Sequence, residues 1–300
     1  MRTMKAFGCT LLAVLLLIAG YTFAADAPII APGAKLEKLA EGYSFTEGPA
    51  ADGDGNVFFT DDPNNRIVEW HAADGKFSDW LKPAGRANGT YFDKVGNLIV
   101  VAPEKGELWS IAPDRTVTVL VTNFEGQSFN GPNDLWVRPD GGIYFTDPDF
   151  YSPRDQSTRV DGQHVYFVTP DRKTVSRVTT DLKKPNGIIG TPDGKMLYVA
   201  DYGASKTFVY DIRPDGGLTN KRLFCNLGSD GMTIDAEGNV YLTMIGVTVF
   251  DRTGKRVEHI DVPIEDTTTN VTFGGKDNDL LFITATGSVY GLKMRVKGAR

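Results

Sequence analysis

After residue 30 the apolar positions of this chain fall in runs of four to six, rich in Val, Ile, Phe and Tyr. Asp-Gly, Gly-Asn and Pro-Asp turns separate the runs. Helical periodicity is nearly absent, so the pattern predicts short β-strands joined by tight turns. One unit, a turn followed by an apolar strand, recurs as GDGNVFFTD, DKVGNLIVVA, RPDGGIYFTD, TPDGKMLYVAD, DAEGNVYLTM and GKDNDLLFIT. Anchored on the first strand residue after each turn (Val57, Leu98, Ile143, Leu197, Val240, Leu280), the units are spaced 41, 45, 54, 43 and 40 residues apart. Repeats of this length fit propeller blades of four antiparallel strands. The expected fold is therefore all-β, a six-bladed β-propeller with one domain over residues 25–300. In the first unit GPAAD is expected innermost, then VFFTD, RIVEWHA and, outermost, KFSDWL. The stretch AKLEKLAEG is expected to pair near SVYGLKMRV and close the ring, removing an exposed sheet edge. The longest interval holds the insertion DPDFYSPRDQSTRVDGQH, and insertions in repeats map to loops, often on the binding face.

Ten residues before the anchors stand Glu47, Asn88, Asn133, Asp230 and Asn270; the fourth turn is one residue longer, and eleven residues back stands Asn186. Any one of the Asn or Asp residues alone reads as a turn former, and Asn88, Asn186 and Asp230 each precede a glycine. Six in one phase, including a Glu, read as a set. Equivalent positions in a ring of blades share a height, so the six side chains should converge at one mouth of the central channel. Amide and carboxylate oxygens favour a hard cation, above all Ca2+, with Mg2+, Mn2+ and Zn2+ as further candidates. Glu47 and Asp230 supply the compensating charge. No His or Cys joins the set, which argues against a nitrogen- and sulfur-ligated zinc site. A second phase places Asp61, Asp147 and Asp201 four residues past their anchors, where strand-end Asp is expected to cap the following loop. His71, His164 and His259 read as structural or exposed, with His164 the strongest outsider because it follows the insertion.

Composition adds limits. Arg2 and Lys5 precede an apolar stretch too short for a membrane span and small residues near Ala24, the pattern of a signal peptide over residues 1–24 and of export, most simply to a periplasm. Cys225 alone remains in the mature chain, flanked by Leu223, Phe224 and Leu227, and is expected to be a buried thiol. The formal charge of −6 becomes about −8 without Arg2 and Lys5, and no basic cluster suggests nucleic acid. After signal cleavage no membrane association is expected.

The chain resembles the family of gluconolactonases, senescence marker proteins and luciferin-regenerating enzymes. The resemblance covers roughly residues 40–295. It rests on EGP at 47–49, NG at 88–89, GPNDLWVRPDGGIYFTDP at 131–148, PNGI at 186–189 and SDGM at 229–232. It implies a six-bladed propeller with one divalent metal in the channel, held by Glu47, Asn186 and Asp230, with Asn133 as ligand or close substrate contact and Asn88 lining the pocket. By the ring phase Asn270 joins the substrate-binding set. Members hydrolyse sugar lactones, and wider relatives open other lactones or cleave organophosphates. The animal branch carries Arg two residues before its counterpart of Asn133, where this chain has Gly131.

The expected activity is metal-assisted opening of a gluconolactone-like lactone, a small-molecule substrate, with Asp230 as general base or water-positioning group. An alternative gives Asp230 only the metal. No GxSxG elbow is present, against a serine hydrolase of the α/β type. The rival readings are a phosphotriesterase or lipophilic-lactone hydrolase on the same site, and a non-catalytic propeller with structural calcium.

Overall fold

The structure is a computed structural model that describes residues 28–150, 156–263, 265 and 267–299. The expected signal peptide, residues 1–24, lies outside the described residues, as do residues 151–155 of the insertion.

Six four-stranded antiparallel sheets follow one another along the chain. The first contains β2 (Thr46–Ala51), β3 (Val57–Asp61), β4 (Arg66–Trp70) and β5 (Phe77–Leu81), from the axis outward. This is the order expected from the sequence. β1 (Glu37–Glu41) pairs antiparallel with the last strand, Ser288–Lys293, and so completes the sixth blade with the N-terminal segment. Chain ends joined in one sheet leave the ring without an open edge at that seam.

The second strand of each blade is buried at nearly every position, as in VFFTD, LIVVA and IYFTD. Both of its faces meet neighbouring blades, which is why these runs read as continuous rather than alternating apolar residues. Phe59 and Phe282, both fully buried, bring the rings of the first and sixth blades to 5.7 Å between centroids. The turns before these strands are built by their own aspartates. Asp52, Asp93 and Asp235 each accept N–H bonds from residues two and four further on, and each bonds the Asn at the fourth position. The intervening Gly55, Gly96 and Gly238 adopt φ of +86°, +88° and +86°, which L side chains rarely reach. Cys225 is a buried free thiol whose pKa burial pushes up, as its apolar flanks predict.

Candidate active site

The six residues in phase all head inner strands. The backbone N–H groups of Asn88, Asn133 and Asp230 bond the carbonyls of Val101, Thr146 and Thr243 at 3.1, 2.9 and 3.2 Å. Glu47 pairs with Thr60. Each of these partners lies three residues past its anchor, so the four blades share one register. Asn186 follows the Pro185–Asp201 pair just as Glu47 follows Thr46–Asp61. Asn270 pairs with Thr284.

Glycine brings these heads together. A Cβ on Gly48 would lie 2.0 Å from the Asn88 carbonyl oxygen, one on Gly89 would lie 2.6 Å from Asp134, one on Gly187 would lie 2.7 Å from the Asp230 carbonyl oxygen, and one on Gly231 would lie 1.9 Å from the Asn270 side chain. The glycines after the ring residues therefore serve close approach of neighbouring blades, not turn formation. Asp134 is approached by the Ile188 N–H across the third and fourth blades. The Asn270 amide donates to Glu47 Oε2 at 3.1 Å and closes the circle.

Three carboxylates face this space. Glu47, 3 % exposed, also accepts the Gly48 N–H at 2.8 Å. Burial first, then the negative charges of Asp230 and Asp134, raise its pKa well above the carboxylate range. Asp230 retains some accessible surface, yet burial lifts its carboxyl to about 7 against the Asn186 amide, which donates to Oδ1 at 2.7 Å. Asp134, not singled out from the sequence, is buried beside Asn133 and lifted to about 7 by burial. Its signal was present: the third head reads Asn-Asp where four others read X-Gly.

The side-chain amide carbonyl oxygens of Asn88 and Asn186 are buried without a hydrogen-bond partner. Unpaired acceptors and raised carboxylates in one place are costly unless a cation satisfies both. Among the described residues no three His, Cys, Asp or Glu side chains gather as a metal site by themselves. A cation here would need the amide oxygens, which suits a hard ion.

The second phase acts differently from expectation. Asp61 accepts the N–H groups of Ser44 and Phe45, Asp147 those of Asn130 and Gly131, and Asp201 those of Lys183 and Lys184, at 2.8–3.3 Å. Each pair lies three and two residues before Glu47, Asn133 or Asn186. The carboxylates thus latch the loop preceding the inner strand; as expected, Asp201 also caps its following turn, through the Ala204 N–H, and Asp61 accepts the Asn64 side-chain amide of its own following turn. From the insertion, Arg159 Nη1 donates to the Phe129 and Asn130 carbonyls and joins the same loop. His164 is buried in a third strand, two removed from the axis, with Nε2 2.7 Å from the Asp161 carbonyl; burial lowers its pKa. His71 meets Ser78 on the outside, and His259 meets Thr248 in an outermost strand. None of the three joins the ring.

The family described as "SMP-30/Gluconolactonase/LRE-like region" matches residues 45–287. The chain belongs to this family. It is 29% identical over 296 residues to a gluconolactonase of Zymomonas mobilis, covering 88% of this chain and 82% of that one. Among solved structures, a gluconolactonase of Xanthomonas campestris superposes with a TM-score of 0.80 at 28% identity, covering 90% of this chain and 95% of that one. The calcium-binding protein regucalcin of Agrobacterium tumefaciens shares the fold, with a TM-score of 0.74 at 20% identity, covering 92% and 97%.

Proposed function

We propose that this protein is a lactonase that opens a gluconolactone-like sugar lactone to its hydroxy acid, using a divalent cation, Ca2+ by preference. Family membership and the gluconolactonase relatives support the lactonase class. The observation that carries the site is the convergence of two raised carboxylates, Glu47 and Asp230, with unpartnered amide oxygens of Asn88 and Asn186.

Glu47, Asn186 and Asp230, with Asn133, would hold the cation. When bound, it would polarise the lactone carbonyl and stabilise the oxyanion. Asn88 and Asn270 orient the ring oxygens of the substrate, and the Asn270 amide keeps Glu47 in place. Asp230 positions the attacking water and takes up its proton; the ring C–O bond then breaks, and the leaving alkoxide takes its proton from solvent. A pKa near 7 suits that task, and a bound cation would pull it down, so the ligand and base roles of Asp230 compete. The Asn186 amide fixes Asp230 through its Oδ1.

A lipophilic lactone is the second reading. Lys184, two residues before Asn186, holds its ammonium 4.4 Å from the Phe150 ring centroid, and Phe150 meets Tyr202 edge-on at 6.0 Å. Both aromatics remain about 40 % exposed (41 and 40 %) on loops of the ring face. Gly131 offers no side chain to a sugar hydroxyl.

Acid release in a pH-stat tests the proposal, with metal-stripped protein, glucono-1,5-lactone and a panel of aliphatic and aromatic lactones, with and without Ca2+. Calcium-dependent release above the spontaneous rate is expected. Folded protein that releases none from any lactone would overturn the reading. The first 24 residues further propose export to the periplasm; a periplasmic protein beginning at Ala25 is expected on fractionation and N-terminal sequencing, and a cytoplasmic protein beginning at Met1 would refute it.

A further inference from the structure

Every blade presents the outer edge of its outermost strand. Charged residues protect such edges from pairing with another chain. Five of the six outermost strands carry them, among them Asp79, Arg177, Lys221, Glu258 and, in β1, Lys38. The exception is Val117–Val121 of the second blade. From 116 to 123 the chain reads TVTVLVTN, without one charge, in a protein of formal charge −6. Val117 and Val119 are 40 and 48 % exposed, and Thr118 between them is exposed as well. β-Branched residues fit a pleated strand, so this edge is both well formed and open.

Its backbone is free in a defined order. The third strand of the blade, Glu107–Ile111, pairs Ile111 with Val117, Ser110 with Thr118 and Trp109 with Val119. At the hairpin end the Ala112 N–H bonds the Thr116 carbonyl at 3.0 Å. Hydrogen-bonded and non-hydrogen-bonded pairs alternate along an antiparallel ladder. Thr118 therefore directs its N–H and C=O inward, to Ser110, while Val117 and Val119 direct theirs outward. Among the described residues no loop or side chain takes up those outward groups. Val117-Thr118-Val119 is also a palindrome, so a copy turned about a twofold at Thr118 meets the same sequence.

From this juxtaposition we infer that the edge is an interaction surface for a second copy of the chain, paired antiparallel about Thr118. Val117 of one copy stands opposite Val119 of the other, and the two exchange N–H and C=O bonds. The two Thr118 residues face each other as the non-hydrogen-bonded pair. Exposed valines cover one another on one face and threonines meet on the other, both favourable as cross-strand pairs. Such an interface is isologous, as a twofold dimer requires. The first blade shows the contrast: pairing Phe77–Leu81 about its central residue would set Asp79 against Asp79. One strand pair buries less surface than a standard stable interface, so the dimer dissociates at roughly 10–100 μM.

Sedimentation velocity of the mature protein from about 1 to about 300 μM tests it. A concentration-dependent shift from monomer to dimer is expected. Thr118→Lys and Thr118→Glu each set like charges opposite one another at the twofold, and each should stay monomeric throughout. Mixed in equal amounts the two variants should dimerise, because lysine then faces glutamate. Residue 118 lies in an outermost strand, so both variants should keep the parent thermal midpoint and lactone turnover within about twofold. A parent that stays monomeric at about 300 μM, a dimer that survives either substitution, or a mixture that stays monomeric would overturn the pairing.

Discussion

At one end of the channel the six inner strands begin with Glu47, Asn88, Asn133, Asn186, Asp230 and Asn270. About 10 Å further on, the same strands present Ala50, Tyr91, Trp136, Ile189, Thr233 and Phe273. The first end concentrates acceptors that lack donors; the second encloses apolar surface, with Arg138, ion-paired to Asp140, among its lining residues. The fold is common to both, so the difference shows that chemistry here belongs to strand heads and their loops, while the blades supply alignment. The latching aspartates Asp61, Asp147 and Asp201 act only at the polar end, and they hold the loops that precede Glu47, Asn133 and Asn186.

The largest effect should separate the two ends outright. Asp230→Asn is expected to lower lactone turnover by roughly a thousandfold, whereas Arg138→Gln leaves it within about twofold; steady-state rates on one lactone decide it. A matched steric insult sharpens the contrast. A Cβ on Gly231 would press on the Asn270 side chain at 1.9 Å, and one on Gly190 would press on the Trp136 ring at 2.2 Å. Gly231→Ala and Gly190→Ala should each cost about 1–3 kcal/mol in denaturant unfolding. Only the first should also reduce turnover, by roughly 10- to 100-fold, through the displaced Asn270 amide. Equal activity in both would break the comparison.

Asp201→Asn should have a smaller effect. Losing one of the bonds to the Lys183 and Lys184 N–H groups is expected to cost about 1–3 kcal/mol. It should weaken calcium binding by roughly tenfold through Asn186, read by calorimetry on folded protein. The smallest effect is on stability against pH in the metal-free protein. The carboxyls of Asp134 and Asp230 titrate near 7 when folded, and Glu47 is raised as well, far above their values in the unfolded chain. Between the two ranges the folded state binds more protons than the unfolded state, so stability should fall as pH rises from about 4 to about 7. Melting midpoints with EDTA should therefore drop across that window, and saturating Ca2+ should flatten the drop. A midpoint that rises with pH in EDTA would contradict the raised carboxyls.

Much of this was legible in the sequence because each blade repeats one turn. Five anchors, Val57, Leu98, Ile143, Val240 and Leu280, are the first residues of second strands; Leu197 is one residue in, after Met196. The ring followed from that phase. The latches were misread because a strand-end Asp has loops on both sides in space, and only the coordinates show that the N–H groups come from the loop before the inner strand. Asp134 was overlooked beside Asn133, although it stands where four of the other heads carry glycine. The apolar end gave no signal, since Tyr91, Trp136 and Phe273 read as ordinary strand residues.

The most direct test of the oxygen-donor ring is a calorimetric titration of EDTA-stripped protein with Ca2+. One ion per chain is expected in the parent and in Arg138→Gln, and none at comparable concentration in Asp230→Asn. No binding in the parent, or equal binding in Asp230→Asn, would contradict it.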